Sequence, residues 1–174
     1  AFLRSSEGES VRFPKDGELS NALLDYPLYQ WWPQYRVRAV LEALERALAH
    51  AKSEAVSLPT GLTIEHILPV KWQEHWPLPA EVQNDPQTKV EFSQRRDRIK
   101  HTLGNLTLVT RSLNPALSNS AWAVKKPELW KWSKLNLSRD LHDHEEWSEQ
   151  EILARGAALA KSAIQIWPYP DVDQ

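Results

Sequence analysis

The string Gly61-Leu62-Thr63-Ile64-Glu65-His66-Ile67-Leu68-Pro69 constrains the fold more than any other part of the chain. Its β-branched and apolar residues favour a strand. A period of two puts Thr63, Glu65 and Ile67 on one face and Ile64, His66 and Leu68 on the other. Leu58-Pro59-Thr60-Gly61 reads as a turn into this strand, and Pro69 ends it because proline cannot donate to a ladder. A second string of the same character, Asn105-Leu106-Thr107-Leu108-Val109-Thr110, can pair with the first across the segment between them. An adjacent carboxylate and imidazole on so short a strand can serve a metal ion and a water together, although such a pair alone is a weak signal.

The rest of the chain reads as helix. From Gln34 to about Ser53, Val37, Val40, Leu41, Leu44 and Leu48 recur at the spacing of one apolar stripe, with Arg36, Arg38, Glu42, Glu45 and Arg46 at the other positions. Ser20 to Tyr29 suggests a short helix broken at Pro27. Lys71 to Pro79 suggests a short helix or ordered loop, and Ala80 to Pro86 a polar linker. Asp85-Pro86 is a helix start with proline at the first position. The helix it opens, Pro86 to His101, has a thin apolar stripe and is expected on the surface, closed by Leu103-Gly104. A short helix from Ser112 or Asn114 to about Asn119, a longer one over Ala121 to Trp132 and a turn or helix over Leu135 to Leu141 follow. Ser148-Glu149-Gln150-Glu151 matches a capping box and opens the last helix, which buries Ile152, Leu153, Leu159, Ala160, Ala163 and Ile164 and ends at Trp167-Pro168. The expected class is α+β, mostly α-helical, with one short antiparallel hairpin.

Composition narrows the chemistry. The chain has 174 residues, 41% of them hydrophobic, enough for a core. It has no Cys, which excludes disulfides and Cys-ligated zinc and suits a reducing cytoplasmic setting. No apolar run approaches the roughly 20 residues of a membrane helix. The start, Ala1-Phe2-Leu3-Arg4, has no initiator Met, so the chain reads as a piece of a longer protein. Net charge is −2, which argues against a strongly basic nucleic-acid binder. The distribution is uneven: residues 1–88 carry 8 basic and 12 acidic groups, residues 89–139 carry 11 and 3, and residues 140–174 carry 2 and 8. A basic middle between acidic flanks can attract phosphate, or it can be a solvated helix face. Nine Trp are present, several of them expected in the core.

The order of the two strands and the helix starting near Asn114 resembles the ββα-metal, or His-Me finger, nuclease fold of the HNH superfamily. More narrowly, Ile64-Glu65-His66-Ile67-Leu68-Pro69, Leu103-Gly104-Asn105-Leu106-Thr107-Leu108, and Leu113-Asn114 through Leu117-Ser118-Asn119, with Lys125-Lys126 after them, resemble the C-terminal nuclease domain of GmrSD-type modification-dependent restriction enzymes, shared by the phosphorothioate-sensing SspE proteins. Trp147, Arg155 and Trp167-Pro168 also fit. The resemblance implies a nuclease domain over residues 34–170, with its ββα-metal core at about 62–120 and C-terminal helices at 121–167. Residues 1–33 would be a lead-in or linker from a preceding domain.

The resemblance also implies roles. His66 falls at the general-base position, Glu65 and Asn114 at the two metal-ligand positions, and Asn105 at the position of the amide that braces the loop and orients the histidine. Oxygen donors of this kind suit Mg²⁺ or Mn²⁺. Lys125, Lys126, Arg111 and Asn119 are candidate contacts to DNA phosphates. Competing readings are a salt bridge for Glu65, a helix cap for Asn114 or Asn119, a plain turn residue for Asn105 and solvated surface for the lysines. His101 lies near the second strand and can touch DNA or pack. His142-Asp143-His144 lacks a third partner for a metal. The implied activity is metal-dependent nicking or cutting of DNA in phage defence. An N-terminal nucleotide-hydrolysing sensor domain would gate it, and its Gly-rich phosphate motif does not occur in this sequence. The alternative is a nuclease-like domain that binds DNA or a partner protein without catalysis.

Overall fold

The computed structural model describes residues 13–49 and 58–170. The chain order is α1 (Asp16–Asp25), α2 (Leu28–Trp31), α3 (Gln34–Ala47), β1 (Leu62–His66), α4 (Ala80–Gln83), α5 (Pro86–Ile99), β2 (Leu106–Thr110), α6 (Asn114–Leu117), α7 (Trp122–Trp132), α8 (Asn136–Arg139) and α9 (Glu149–Ile166). Single 3-10 turns lie at Trp72–Glu74, Leu103–Asn105 and Asp140–Asp143. The architecture is therefore the mostly helical α+β class expected.

β1 and β2 pair antiparallel, with Thr63 opposite Val109, Glu65 opposite Thr107 and His66 opposite Leu106. Gly61 turns the chain into β1 with a φ of 74°, a left-handed conformation that glycine adopts without a Cβ penalty. The strand ends at His66 rather than Pro69, but the Ile67 amide still donates to the Asn105 carbonyl at 3.0 Å. Both faces of the hairpin are covered. Leu62, Leu106 and Leu108 belong to one apolar cluster, with Ile64 packed against it and Leu41, Leu44 and Leu159 opposite. Val109 and Ile67 belong to a second cluster with Trp72, Trp122, Trp147 and Ile152. Covering on two sides explains why β2 is buried over Leu106–Val109 and does not alternate with solvent.

Local signals act as expected at two helix starts. The Asp85 carboxylate accepts from the Thr88 amide at 2.9 Å, with Pro86 next in sequence. Ser148 and Glu151 form a reciprocal capping box at α9. Other expectations change. α1 starts at Asp16, and Leu23 and Leu28 are buried in the first cluster, so part of the expected lead-in packs with the body. Ala80–Gln83 is a helical turn, not a linker. α3 runs to Ala47; the expected extension to Ser53 lies partly outside the described residues. Glu45 is buried, because its carboxylate receives the Asn136 and Leu137 amides at 2.7 and 2.8 Å and closes the N-terminus of α8.

α5 is exposed over most of its length, as expected of a surface helix, and only Arg96 and Ile99 on it are buried. Arg96 is buried on it, its guanidinium over the Trp72 ring, donating to the Trp76 carbonyl at 2.7 Å and paired with Glu149. The pair with Glu149 means that the buried guanidinium is not an unpaired charge. Trp130 and Trp132, expected among apolar positions of α7, are 67% and 59% exposed. No helix among the described residues is long and apolar enough to cross a membrane.

Candidate functional site

Asn105 sits at the hinge of the site, fully buried at the end of the 3-10 turn before β2. Its Oδ1 accepts from the Leu68 amide at 2.8 Å and from Trp147 Nε1 at 3.1 Å. Its Nδ2 donates to the Leu68 and Lys100 carbonyls, each at 2.8 Å. These four bonds use every donor and acceptor of a carboxamide. They clamp the backbone two residues beyond His66, the position at which a bracing amide is expected.

β1 separates the neighbouring Glu65 and His66. His66 is 7% exposed, and its Nε2 lies 3.1 Å from His101 Nδ1. The Tyr29 ring meets it edge-on at 4.4 Å and stacks on His101 at 6.0 Å. Burial lowers the His66 pKa to about 3, with help from the nearby His101, Lys125 and Lys100 charges. The imidazole is therefore neutral at pH 7. The His101 pKa is also lowered, first by burial and then by Lys100. One proton shared between the rings satisfies both nitrogens of the contact.

Glu65 lies on the opposite face with Thr63 and Thr107. Its Oε1 accepts from Lys125 Nζ at 2.6 Å, and that ammonium also donates to the His66 carbonyl at 2.5 Å. Lys125 is fully buried. Burial pushes the Glu65 carboxyl up while Lys125 pulls it down; burial pushes the Lys125 ammonium down while Glu65 pulls it up. The expected exposure of Lys125 to a phosphate is thus corrected: the side chain points inward because Glu65 would otherwise be a buried, unpaired charge.

Asn114 joins the Glu65 face. Its Nδ2 donates at 3.0 Å to Thr63 Oγ1, which in turn donates to the Val109 carbonyl at 3.3 Å. Asn114 Oδ1 and Glu65 Oε2 have no hydrogen-bond partner among the described residues. Thr107 Oγ1, opposite Glu65 in the register, is buried without one. These three oxygens are hard donors of the type that Mg²⁺ accepts, so the donor set fits a divalent cation once the Lys125 ammonium is displaced from Glu65 or shares it. Among the described residues no group of three or more His, Asp or Glu could hold a metal, so such a site rests on amide and hydroxyl oxygens as well.

The remaining candidates lie further out. Lys126 is partly exposed and pairs with the exposed Glu145 at 3.4 Å. Asn119 Oδ1 accepts from the Lys71 amide at 3.3 Å, a loop contact. Arg111 is exposed just past β2. His142 packs edge-on against Trp130 at 4.0 Å, and His144 against Trp147 at 5.2 Å, so the two imidazoles serve different rings.

Arg155 has a role the sequence did not assign. It is buried on α9 and donates to the Gly104, Leu106 and Leu137 carbonyls at 2.8, 2.9 and 2.9 Å, with Asp140 as its counter-ion at 3.0 Å. The available signal was its place in the helical stripe of Ile152 and Leu159. Trp147 fitted the family resemblance without a role attached, and Thr107 had no signal of its own.

Fold and site define a mostly helical α+β domain that presents a neutral histidine and a buried acid on the two faces of a short hairpin. The chain belongs to the family described as GmrSD restriction endonucleases, C-terminal domain, whose model matches residues 13–162. This is a restriction-endonuclease domain, and DNA is the substrate class that membership implies. No curated protein matches the chain.

Proposed function

We propose that this domain hydrolyses DNA phosphodiesters, nicking or cutting, with His66 as general base, Glu65 and Asn114 as ligands of a divalent cation and Asn105 as the residue that orients His66. The observation carrying the reading is the set of unpartnered oxygens on the Glu65 face of a hairpin that holds a neutral imidazole, His66, on its other face. A cation bound there supplies charge neutralisation at the scissile phosphate. His66 accepts the proton of the attacking water, for which it must begin unprotonated. Its low basicity in the unliganded state rises when an anionic phosphate arrives, because a nearby negative charge favours imidazolium. Asn105 fixes the turn after His66 and so limits the directions the ring can take. Glu65 and Asn114 hold their oxygens from separate elements, β1 and α6.

In the full protein this activity would sit behind an N-terminal nucleotide-hydrolysing sensor of modified DNA, such as phosphorothioate-bearing DNA, within anti-phage restriction in the cytoplasm. Lys126, Arg111 and Asn119 would line the path of the phosphate backbone. One observation favours a second reading, a nuclease-like domain that only binds DNA or a partner protein: the Lys125 ammonium already neutralises Glu65. Plasmid nicking with Mg²⁺ or Mn²⁺ separates the two. The nuclease reading expects wild-type nicking that is lost in His66→Ala and Glu65→Gln; nicking that is absent, or unchanged in both variants, selects the binder.

A further inference from the structure

A groove of about 670 Å³ opens beside the His66–His101 pair, between the turn into α2 and the end of α5. Its walls include Tyr26, Gln30, Trp31, Arg98, Lys100 and His101. The volume is within the range of about 300–1,000 Å³ of sites that enclose small ligands. The walls are fixed to each other: the Tyr29 amide donates to the His101 carbonyl at 3.2 Å, and Arg98 Nη2 to the Asp25 carbonyl at 3.5 Å.

Two features of this groove bear on what it could hold. First, it carries aromatic faces in water: Trp31 is 65% exposed and Tyr26 41%, with Trp32 and Tyr35 exposed just beyond. Secondly, its other wall carries two cations, Arg98 and Lys100, beside the acid Asp97. Arg98 is exposed, with a single long contact to a carbonyl, whereas Lys100 Nζ is held by Asp97 and the Val70 carbonyl. His101 lines the groove and reaches His66 behind it. Aromatic planes opposite a guanidinium match a nucleotide, which offers a base to stack and a phosphate to pair. A base stacked in a duplex has no free face for a side chain, so the match holds only for a base outside the stack.

We propose that this groove binds one unstacked nucleotide of the DNA strand, its base on Trp31 and Tyr26 and its phosphate at Arg98. Single-stranded or locally opened DNA is then the preferred substrate form. The proposal rests on the reading that His66 acts on a phosphodiester, since it places the bound nucleotide at the His101 side of that histidine. Trp31 and Arg98 are binding residues here, and His101 is a positioning residue between groove and base.

The test is binding of three labelled oligodeoxynucleotides by fluorescence anisotropy, in EDTA to prevent cleavage: a single strand, its full duplex and the duplex with one unpaired central nucleotide. The wild-type chain is expected to bind the first and third about tenfold more tightly than the second. Trp31→Ala and Arg98→Ala are each expected to lose about tenfold on the preferred forms. Trp130→Ala, an equally exposed tryptophan outside the groove, is expected to bind as wild type. Equal affinity for all three DNAs, no binding of any, or equal losses in Trp31→Ala and Trp130→Ala overturns the groove, and absence of any DNA binding points to a protein occupant instead. Nicking by the same proteins with Mn²⁺ keeps the two readings apart. Preferential binding without nicking removes the nuclease reading and keeps the groove. Nicking by Trp31→Ala and Arg98→Ala at the wild-type rate removes the groove and keeps the nuclease.

Discussion

Lys125 Nζ lies 2.6 Å from Glu65 Oε1, with the lysine side chain fully buried and the glutamate side chain 8% exposed. Removing one partner of such a pair leaves a buried, uncompensated charge and costs about 3–5 kcal/mol. Lys125→Met is therefore expected to lower unfolding stability by about 3 kcal/mol in EDTA. If Glu65 is a metal ligand, Mn²⁺ should restore part of that loss in Lys125→Met while giving little to Glu65→Gln. Urea unfolding of the three proteins with and without metal provides the measurement.

Asn105→Ala removes partners from the Leu68 amide, the Leu68 and Lys100 carbonyls and the Trp147 indole at once. Each buried polar group left unpaired costs about 1–3 kcal/mol. The expected loss is at least about 3 kcal/mol, with partial relaxation bringing it below the additive value. Asn105→Asp keeps both accepted bonds but buries a carboxylate whose second oxygen faces the Leu68 and Lys100 carbonyls, so it should be at least as destabilising as alanine. Thermal melts of the two variants rank them; an Asn105→Ala protein as stable as wild type would remove the clamp.

The His66 shift fixes the sign of an acid response. In the unfolded chain a histidine titrates near 6.5, whereas folded His66 titrates at about 3. Below pH 6.5 the unfolded state takes up a proton that the folded state refuses. The contribution is therefore fully present above pH 6.5 and declines as pH falls towards 3, at up to about 1.4 kcal/mol per pH unit. Metal-free unfolding curves between pH 7 and 4 should show a shallower slope in His66→Gln than in wild type. Parallel slopes would mean that the ring is protonated in the folded state or hydrated there.

Two glycines give opposite expectations. A Cβ on Gly104 would lie 2.0 Å from the Ile152 carbonyl oxygen and 2.9 Å from the Gly156 nitrogen, both backbone atoms of α9. Gly104→Ala should cost about 3 kcal/mol, at the upper end of overpacking penalties. A Cβ on Gly17, within α1, meets nothing within 4 Å. Gly17→Ala should add about 0.5 kcal/mol through helix propensity. Denaturant midpoints decide both, and a neutral Gly104→Ala would contradict the packing of the turn on α9.

Burial sorts the basic middle of the sequence into two groups. Arg96, Lys100 and Lys125 are inside, whereas Arg111 is exposed and Lys126 partly so. If the DNA backbone follows the exposed group, Arg111→Ala and Lys126→Ala should each reduce the slope of log affinity against log salt by about 1. Lys125 substitutions should act through stability and leave that slope unchanged. Titrations at several salt concentrations measure it.

The hairpin and the α5 and α9 starts were legible because each depends on residues close in sequence: alternation, a proline after an aspartate, a capping box. A bracing role for Asn105 came only from the family resemblance, since an Asn at that place reads equally as a plain turn residue. The partners of Glu45, Arg96, Lys125 and Arg155 were not legible. Glu45 closes a helix that starts at Asn136, and Lys125 meets an acid on β1. A charged residue on a helix reads as solvated unless its partner is known, and these partners come from distant elements. Exposure of Trp130 and Trp132 was hidden for the converse reason, since an indole within a helix reads as core material.

Arg155 binds carbonyls on both sides of the Gly104–Leu106 turn, although it lies well over a hundred residues beyond α1 and near the far end of the chain. The histidine-bearing hairpin thus cannot be excised as a minimal fragment. A truncation after residue 120 would strip the underside of β2 of its guanidinium and leave Trp147's place beside Asn105 vacant. Any shortened catalytic unit has to retain the final helix, and random insertions that separate α9 from the hairpin should silence the domain even when every residue at the His66 end is intact.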